Sequence, residues 1–438
     1  MSEVTKPVML DETGKAIANA INNVATAIDG EKQGIIYGFH IDNAESDPSA
    51  KVTYLKDAVG MTPAHMNFTS GEFDYGSWED AFFMPRPCML KSDGTVDYYL
   101  KVSDYTKKED GTASDVANTA YAGNAMMEWG RNGKKIWMKI VPSADGKSGD
   151  VFIADHKADA GFHDWPFHNC NGESVPHFYT AIYNGSFVSS KLRSLSGQAL
   201  MKTKSGTDEI TAAKANNTGA SELWNTECIA DRMLINMLLI LIGKSTNTQA
   251  VFGEGAHTGG SEAINDTFTT GIHNTKGLFF GTNSGSVAAN SFGNCVKVFG
   301  MENYWGLQWR RQRGYINANG VQKVKLTYGQ EDGSTVSGYN TDGSGYIPLG
   351  ITPTGTSGGY IDEMKFTEQG MFGKNSSGDA THDYCDGQWF NNGIVAFALC
   401  GGNSAAGALV GAFCCYLAHA VSAAHWSLGA AASCKPLA

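Results

Sequence analysis

The first 30 residues carry apolar side chains at helical spacing. They recur at intervals of three, four or seven residues, at Leu10, Ile17, Ile21, Val24 and Ile28. This periodicity predicts an amphipathic helix with one apolar face. We expect an N-terminal helical arm, residues 1–30, that either docks on the body of the chain or binds a second protein.

From residue 35 the pattern changes to short runs of β-branched and aromatic residues. IIYGFHI (35–41), KVTYL (51–55) and VDYYLKV (96–102) are separated by turn residues, which is typical of strands. The polar segment KKEDGTASD (107–115) follows them and resembles a linker. The sequence therefore predicts a small β-rich domain, residues 31–118, followed by a larger domain, residues 119–438.

One segment of the larger domain differs from the strands around it. SELWNTECIADRMLINMLLILIG (221–243) has an apolar face too wide for a surface helix and ends at a glycine, so it predicts a buried helix. From Gly387 to Ala432 there is no Lys, Arg, Asp or Glu. The uncharged stretch 408–421 is shorter than a membrane span needs. Short buried strands and loops are predicted there, without membrane insertion.

Composition narrows the class of protein. The 438 residues include 53 Gly and 11 Pro, charged residues make up 18%, and the net charge is −11. Abundant glycine with few charges favours a turn-rich α+β fold, and an acidic chain is a poor binder of nucleic acid. Nine cysteines without a CxxC motif do not suggest a disulfide framework. The N-terminus lacks a signal peptide, which indicates synthesis in a reducing cytoplasm.

The segment FHDWPFHNCNGESVPHF (162–178) contains the densest group of candidate metal ligands. Its members are His163, Asp164, His168, Cys170 and His177. Their spacing matches no compact zinc pattern, so structural histidines are the preferred interpretation. There is no GxSxG motif either. We expect no catalytic residues, no metal and no cofactor.

Three stretches resemble the formylglycine-generating-enzyme type of C-type lectin fold. GLFFG…VKVFGMENYWGLQW (277–309) is similar to its glycine, Glu-Asn, Trp-Gly and Trp signature. FALCGGNS (397–404) followed by WSLGAAASC (426–434) is similar to its closing strands, and FHDWPFHNCNGESVPHFYTAIYNGSF (162–187) to its opening strands. The resemblance implies that this C-terminal fold covers roughly residues 120–438. It also implies a rigid scaffold that includes Glu302, Asn303, Trp305, Trp309, Trp389, Gly401, Gly402 and Trp426.

Within that fold, GGNSAAGALVGAFCCYLAHAVSAAHWSLGAA (401–431) is similar to variable proteins of diversity-generating retroelements. These systems randomise adenines, mainly in Asn codons, which implies a variable region at about 387–434. The implied ligand-binding residues are Ile394, Ala396, Ala405, Ala406, Leu409, Tyr416, Ala418, His419, Ala423, His425 and Ser427. Mutating the two adenines of an AAC or AAT codon cannot give Gln, Glu, Lys, Met or Trp, and none of these residues is one of those.

PVMLDETGKAIANAI (7–21) resembles the leaders of phage tail proteins. The resemblances together imply a hypervariable receptor-binding protein of a phage virion, made in the host cytoplasm, with no enzymatic activity. Its implied partners are a host cell-surface protein or glycan, other tail proteins through the arm, and two further copies in a homotrimer. Two alternatives are a non-diversified structural tail or decoration protein and an oxidase of the formylglycine-generating type.

Overall fold

The computed structural model describes residues 34–164, 167–170, 173–219, 222–287, 291–325, 345–352 and 358–436. The predicted N-terminal arm, residues 1–30, lies outside these described residues. The described chain is mostly β-sheet with few helices, which is compatible with the predicted α+β class. No helix among the described residues is long and apolar enough to cross a bilayer.

Most of the strands are short, as runs of β-branched and aromatic residues between glycine turns predict. In chain order they are β1 (Ile36–Asp42), β2 (Val52–Lys56), β3 (His65–Asn67), β4 (Glu72–Asp74), β5 (Arg86–Lys91), β6 (Val96–Lys101), β7 (Asp104–Lys108), β8 (Gly123–Trp129), β9 (Trp137–Pro142), β10 (Ser148–Ala154), β11 (Asn169–Cys170), β12 (Glu173–Ser174), β13 (Phe178–Ala181), β14 (Ser186–Val188), β15 (Lys191–Arg193), β16 (Trp224–Thr226), β17 (Lys297–Val298), β18 (Met301–Glu302), β19 (Trp309–Ala318), β20 (Val321–Val324), β21 (Ile347–Pro348), β22 (Gly359–Tyr360), β23 (Glu363–Thr367), β24 (Gly370–Asn375), β25 (Gly387–Phe390), β26 (Val395–Cys400), β27 (Cys415–Leu417), β28 (Leu428–Gly429) and β29 (Ala432–Cys434). Strands β1, β2 and β6 confirm the runs identified in the sequence.

The α-helices in the described chain are α1 (Gly206–Lys214), α2 (Ile229–Gly243), α3 (Thr248–Phe252) and α4 (Glu262–Asn265). Every residue of α2 is buried, which confirms the predicted core helix. Its start differs from the prediction, whereas its last residue is the predicted Gly243. Helix α2 begins after Cys228 because the preceding residues pair as strand β16, and it ends with Lys244 in the left-handed region at φ 48°.

Two sheets carry most of the structure. A seven-stranded sheet has the order β16-β29-β13-β8-β5-β6-β7. In the other, β21-β20-β19-β26-β27-β25-β22 follow one another, and β28 pairs with β19 in parallel. Helix α2 packs on one face of this second sheet, where Ile229 and Met233 meet Leu417 and Phe390. We call it the C-terminal sheet.

The predicted boundary at residue 118 does not divide the fold. Strands β5, β6 and β7, which precede it, belong to the same sheet as β8, β13 and β29, and β1 pairs with β10. The described residues from Ile36 onward form one compact unit. Two strands of the segment 31–118, β1 and β5, pair with the later strands β10 and β8, so hydrogen bonding continues across the predicted boundary. Local patterns predict strands but do not say with which strands they pair.

Candidate ligand-binding site

The two faces of the C-terminal sheet are set by alternation along β26 and β27. Ala398, Cys400, Cys415 and Leu417 belong to the cluster that packs with α2. Leu399 and Tyr416 lie opposite each other on the two strands and belong to a different cluster. Successive residues of a strand point to opposite faces. The face away from α2 is therefore the one on which the predicted ligand-binding residues can reach solvent.

A cavity of about 440 Å³ opens on this face. Five of the eleven predicted ligand-binding residues line it: Tyr416, His419, Ala423, His425 and Ser427. The remaining lining residues are Trp309, Asn403, Ala424 and Leu428. The structure thus brings together side chains from β19, β27, β28 and the two loops beside them. We call this cavity the Tyr416 cavity.

An aromatic cluster forms the floor of the Tyr416 cavity. The Tyr416 ring stacks with the imidazole of His419 at a centroid distance of 4.8 Å, and it lies 5.6 Å from Trp309 and 5.8 Å from Trp389. The two indoles meet edge to face at 5.8 Å. Such pairs contribute roughly 0.5–1.5 kcal/mol each beyond the area they bury. Trp309 is 7% exposed whereas His419 is exposed, so a fixed aromatic base supports an accessible ring.

The polar groups of the cavity carry no permanent charge. Among the described residues that line it, none is Asp, Glu, Lys or Arg. His425 Nδ1 lies 2.8 Å from Ser427 Oγ, and no carboxylate lines the cavity to complete a Ser-His-Asp arrangement. Burial, Arg311 and His425 lower the pKa of His419, so its imidazole is neutral at pH 7. The arrangement is suited to recognising an uncharged surface.

A buried ion pair holds the loop that forms one wall. Arg311 Nε donates to the Glu209 carboxylate at 2.7 Å, and both side chains are 1% exposed. The same guanidinium donates from Nη2 to the Ala423 carbonyl at 2.9 Å. Helix α1 contributes a second anchor, because Gly206 N donates to Val421 O at 2.8 Å. The buried Arg311–Glu209 pair thus holds the loop in place although neither residue lines the cavity.

The Gly401-Gly402 turn requires glycine at both positions. Their φ angles are +90° and +84°, in the region that favours glycine. A Cβ at Gly401 would lie 2.9 Å from Tyr304 O, and one at Gly402 would lie 2.4 Å from Val410 Cγ1. Gly306 N also donates to Gly401 O at 2.9 Å. The turn is therefore packed directly against the predicted scaffold.

The loop that follows this turn carries three more of the predicted residues. Ala405 is exposed, while Ala406 is half-buried against the cluster that contains Trp309. Leu409 is half-buried, and a Cβ at Gly387 would lie 2.8 Å from Leu409 Cβ. These three side chains are on the surface beside the cavity without lining it.

The remaining predicted residues either do not line the cavity or are largely buried. Ile394 and Ala418 are half-buried and do not line the cavity. Ala396 is fully buried, because alternation along β26 puts it on the same face as Ala398. Its selection as a ligand-binding residue is wrong in this structure. Ser427 lines the cavity with only 5% of its surface exposed.

The predicted scaffold residues Glu302, Asn303 and Trp305 are fully buried. The Glu302 carboxylate accepts hydrogen bonds from Gly271 N and His273 N, each at 2.8 Å. Trp305 Nε1 donates to the Gly253 carbonyl at 3.1 Å. These side chains therefore tie long loops to the sheet rather than facing solvent.

Trp309, one of the tryptophans predicted as scaffold, also lines the cavity. Trp389 and Trp426 are half-buried, and the Trp426 ring lies 5.3 Å from that of His425. Leu428 enters the site because it pairs with Trp309 across a parallel bridge. No local pattern in the sequence encodes that pairing. Asn403, Ala424 and Leu428 were not predicted as site residues from the sequence.

The histidine-rich segment is structural where it is described. His168 is fully buried, its Nε2 accepts from Ile136 N at 3.0 Å, and its Nδ1 lies 3.1 Å from the Val175 carbonyl. Burial lowers the pKa of His168 to about 3, which keeps the ring neutral. Within the described residues, no group of three or more His, Cys, Asp or Glu is arranged to hold a metal ion.

Similarity to known proteins is found among solved structures. No protein-family model matches the chain. No curated protein matches it in sequence. Among solved structures, the chain is similar to one named Major Tropism Determinant U1 Variant, at 12% sequence identity and a TM-score of 0.27, over 80% of this chain and 72% of that one. The geometry of the Tyr416 cavity therefore carries the functional argument.

Proposed function

We propose that this chain is a receptor-binding protein of a phage virion that binds a host cell-surface molecule through the Tyr416 cavity and the surface beside it. The observation that carries the proposal is the convergence of Tyr416, His419, Ala423, His425 and Ser427 on one cavity. They were selected from the sequence as positions where a template would carry Asn. All five lie within the stretch 416–427, and they line the cavity together with Trp309 and Asn403, which come from other parts of the chain.

The surroundings of the cavity support recognition. A concave, uncharged and largely apolar surface on a fixed base is typical of ligand and protein recognition sites. The side chains at its rim, such as His419, His425 and Ala424, are exposed. Substitutions at exposed positions away from special features change stability by within about 0.5 kcal/mol. Such a rim can change its identity while the scaffold stays folded.

Binding of host cells by single-residue variants tests the proposal. Tyr416→Ala and His419→Ala are expected to reduce adsorption or binding of purified protein by at least tenfold, because aromatic side chains at the centre of an interface contribute about 2 kcal/mol or more. His65→Ala is the matched control, since His65 is also exposed and does not line the cavity. Unchanged binding by both cavity variants would instead favour a structural tail or decoration protein.

We further propose that residues 387–434 are diversified by a retroelement. In this proposal the diversified residues are held by a C-type lectin fold of the formylglycine-generating-enzyme type that has no oxidase activity. Sequencing of the flanking DNA tests it: a near-repeat that differs from the coding segment only at adenines is expected. If no such repeat exists near the gene, the binding function can stand but the diversification is refuted.

Assembly is the last part of the proposal. The arm, residues 1–30, attaches the chain to other tail proteins, and three copies associate in a homotrimer. Several weak sites on one particle then raise avidity by roughly 10²–10⁴-fold. Sedimentation of the full chain tests the homotrimer. Assembly of particles with a chain lacking residues 1–30 tests the arm: we expect that this chain is not incorporated into particles but still binds cells.

A further inference from the structure

Two buried thiols face each other behind the Tyr416 cavity. Cys400, the last residue of β26, lies opposite Cys415, the first residue of β27, and their Sγ atoms are 3.7 Å apart. Both residues are buried, at 3% and 7% exposure, in the cluster that packs with α2. A covalent S–S bond is about 2.05 Å long, so the two sulfur atoms need to approach by less than 2 Å.

The strand pairing around these residues favours a bridge. Gly401 N donates to Cys414 O at 2.9 Å, which places that hydrogen bond just outside the Cys400–Cys415 pair. The two cysteines therefore form a non-hydrogen-bonded pair of an antiparallel ladder. In such pairs the Cα atoms are about 4.5 Å apart and the side chains are close. That separation lies within the range of about 4.4–6.8 Å found for disulfides.

The neighbouring Cys414 cannot take part in the same bridge. Its side chain belongs to the cluster with Trp309 and Leu399, on the opposite face of the sheet from Cys415. The vicinal pair in the sequence thus separates into one thiol that faces Cys400 and one that faces away.

The electrostatic surroundings of the pair favour a thiolate on Cys400. Burial opposes its ionisation, but the hydrogen bond shared with Cys415 and the nearby Arg232 guanidinium outweigh burial, so the pKa of Cys400 lies below its usual value. Arg232 is fully buried in the same region, where its Nη2 donates to the Ala412 carbonyl at 3.2 Å. A thiolate is the nucleophile that begins disulfide exchange.

We propose that Cys400 and Cys415 form an intramolecular disulfide when the protein leaves a reducing compartment and meets a small-molecule disulfide such as oxidised glutathione. The Cys400 thiolate attacks one sulfur of the oxidant and displaces one small thiolate, giving a mixed disulfide. The Cys415 thiolate then attacks the Cys400 sulfur, forms the protein S–S bond and displaces the second small thiolate. The two protons lost by the cysteines pass to the departing thiolates.

The bridge has a structural consequence for the surface described above. It ties β26 to β27 and closes the loop 401–414, which carries Ala405, Ala406 and Leu409. Cross-linking a loop of this length reduces the conformational freedom of the unfolded chain. The loop and the strand that bears Tyr416 are then held together in the oxidised protein. The geometry and surroundings of the two thiols are independent of what the cavity binds.

The experiment uses the full chain, purified under reductant and then incubated with oxidised glutathione, with and without urea below the unfolding midpoint. Thiol titration in denaturant is expected to fall from nine to seven free cysteines per chain. Tandem mass spectrometry of the digest is expected to link Cys400 to Cys415. The Tm is expected to rise by a few degrees and to return on reduction with dithiothreitol.

Variants provide the matched controls. Cys414→Ala is expected to retain the bridge, whereas Cys400→Ala and Cys415→Ala are expected to lose it. If either of these two fails to fold, the mass-spectrometric linkage in the wild-type chain still decides the question. A linkage of Cys400 to Cys414, or nine free thiols after incubation in both conditions, would overturn the proposal.

Discussion

Asparagine introduced at residue 396 is expected to destabilise the chain much more than asparagine introduced at residue 405. Both residues are alanine in this chain, and both were selected from the sequence as positions where a template carries Asn. The structure separates them, because Ala396 is 0% exposed within β26 while Ala405 is exposed on the loop beside the Tyr416 cavity. Ala396→Asn and Ala405→Asn thus make the same chemical change in two environments.

The expected magnitudes follow from burial and hydrogen bonding. Asn at 396 adds three heavy atoms to a packed site, which costs about 1–3 kcal/mol. The opposed residue, Asn317, already donates to Asn391 O and accepts from Gly320 N, so the new amide competes for partners. An unsatisfied buried polar group costs about 1–3 kcal/mol more. We therefore expect Ala396→Asn to lower the free energy of unfolding by roughly 2–6 kcal/mol, against at most about 0.5 kcal/mol for Ala405→Asn.

Urea unfolding followed by tryptophan fluorescence measures both variants against the unsubstituted chain. The midpoint is expected to fall markedly for Ala396→Asn and to stay unchanged for Ala405→Asn. Equal and small effects at the two positions would refute the assignment of Ala396 to the buried face. Equal and large effects would refute the claim that the loop beside the cavity tolerates exchange.

Three further predictions concern the stability of the fold: two at residues behind the cavity and one at the buried His168. Gly402→Ala is expected to lower the unfolding midpoint more than Gly407→Ala does, since both glycines have positive φ but only at Gly402 would the new Cβ meet another side chain, 2.4 Å away; similar midpoints would contradict this. Glu209→Gln is expected to destabilise the chain by about 3–5 kcal/mol in the same assay because it leaves the buried Arg311 charge uncompensated, and an effect below 1 kcal/mol would show that the pair is solvated. His168, whose folded-state pKa is about 3, binds its proton less readily when folded than when unfolded. Its contribution to stability is present above pH 6.5 and is lost as the pH falls towards 3, by up to about 1.4 kcal/mol per pH unit. Unfolding midpoints measured between pH 7 and pH 3 should therefore fall less steeply with pH in His168→Asn than in the unsubstituted chain.

The sequence predicted local elements well where one face of a strand or helix is apolar. The strands around Tyr37, Tyr54 and Tyr98 and the core helix α2 lie where periodicity places them. The start of α2 was misplaced because Trp224–Thr226 has partners in β29 that helix periodicity does not register. Strand pairing of this kind depends on residues more than 200 positions apart. The boundary predicted at residue 118 failed to register the pairing of β5 with β8, which crosses it.

The candidate site was predictable to a different extent. The resemblance to retroelement variable proteins selected residues by position in a template, and five of them line one cavity. Ala396 was misassigned because the template comparison ignores the two-residue alternation of β26. The buried support, such as Arg311 and Glu209, was not predicted, since nothing local in either segment marks the other as its partner.

The position of β29 has a consequence for synthesis. This strand, Ala432–Cys434, lies between β16 and β13 in the interior of the seven-stranded sheet. Neither neighbour can form its hydrogen bonds on that side until β29 has been synthesised. During translation that sheet cannot close until the whole segment that bears the cavity residues has left the ribosome. A copy interrupted anywhere within that segment exposes two unpaired strand edges, which mark it for aggregation or degradation. The seven-stranded sheet is therefore complete only in chains that are translated through to the last strand.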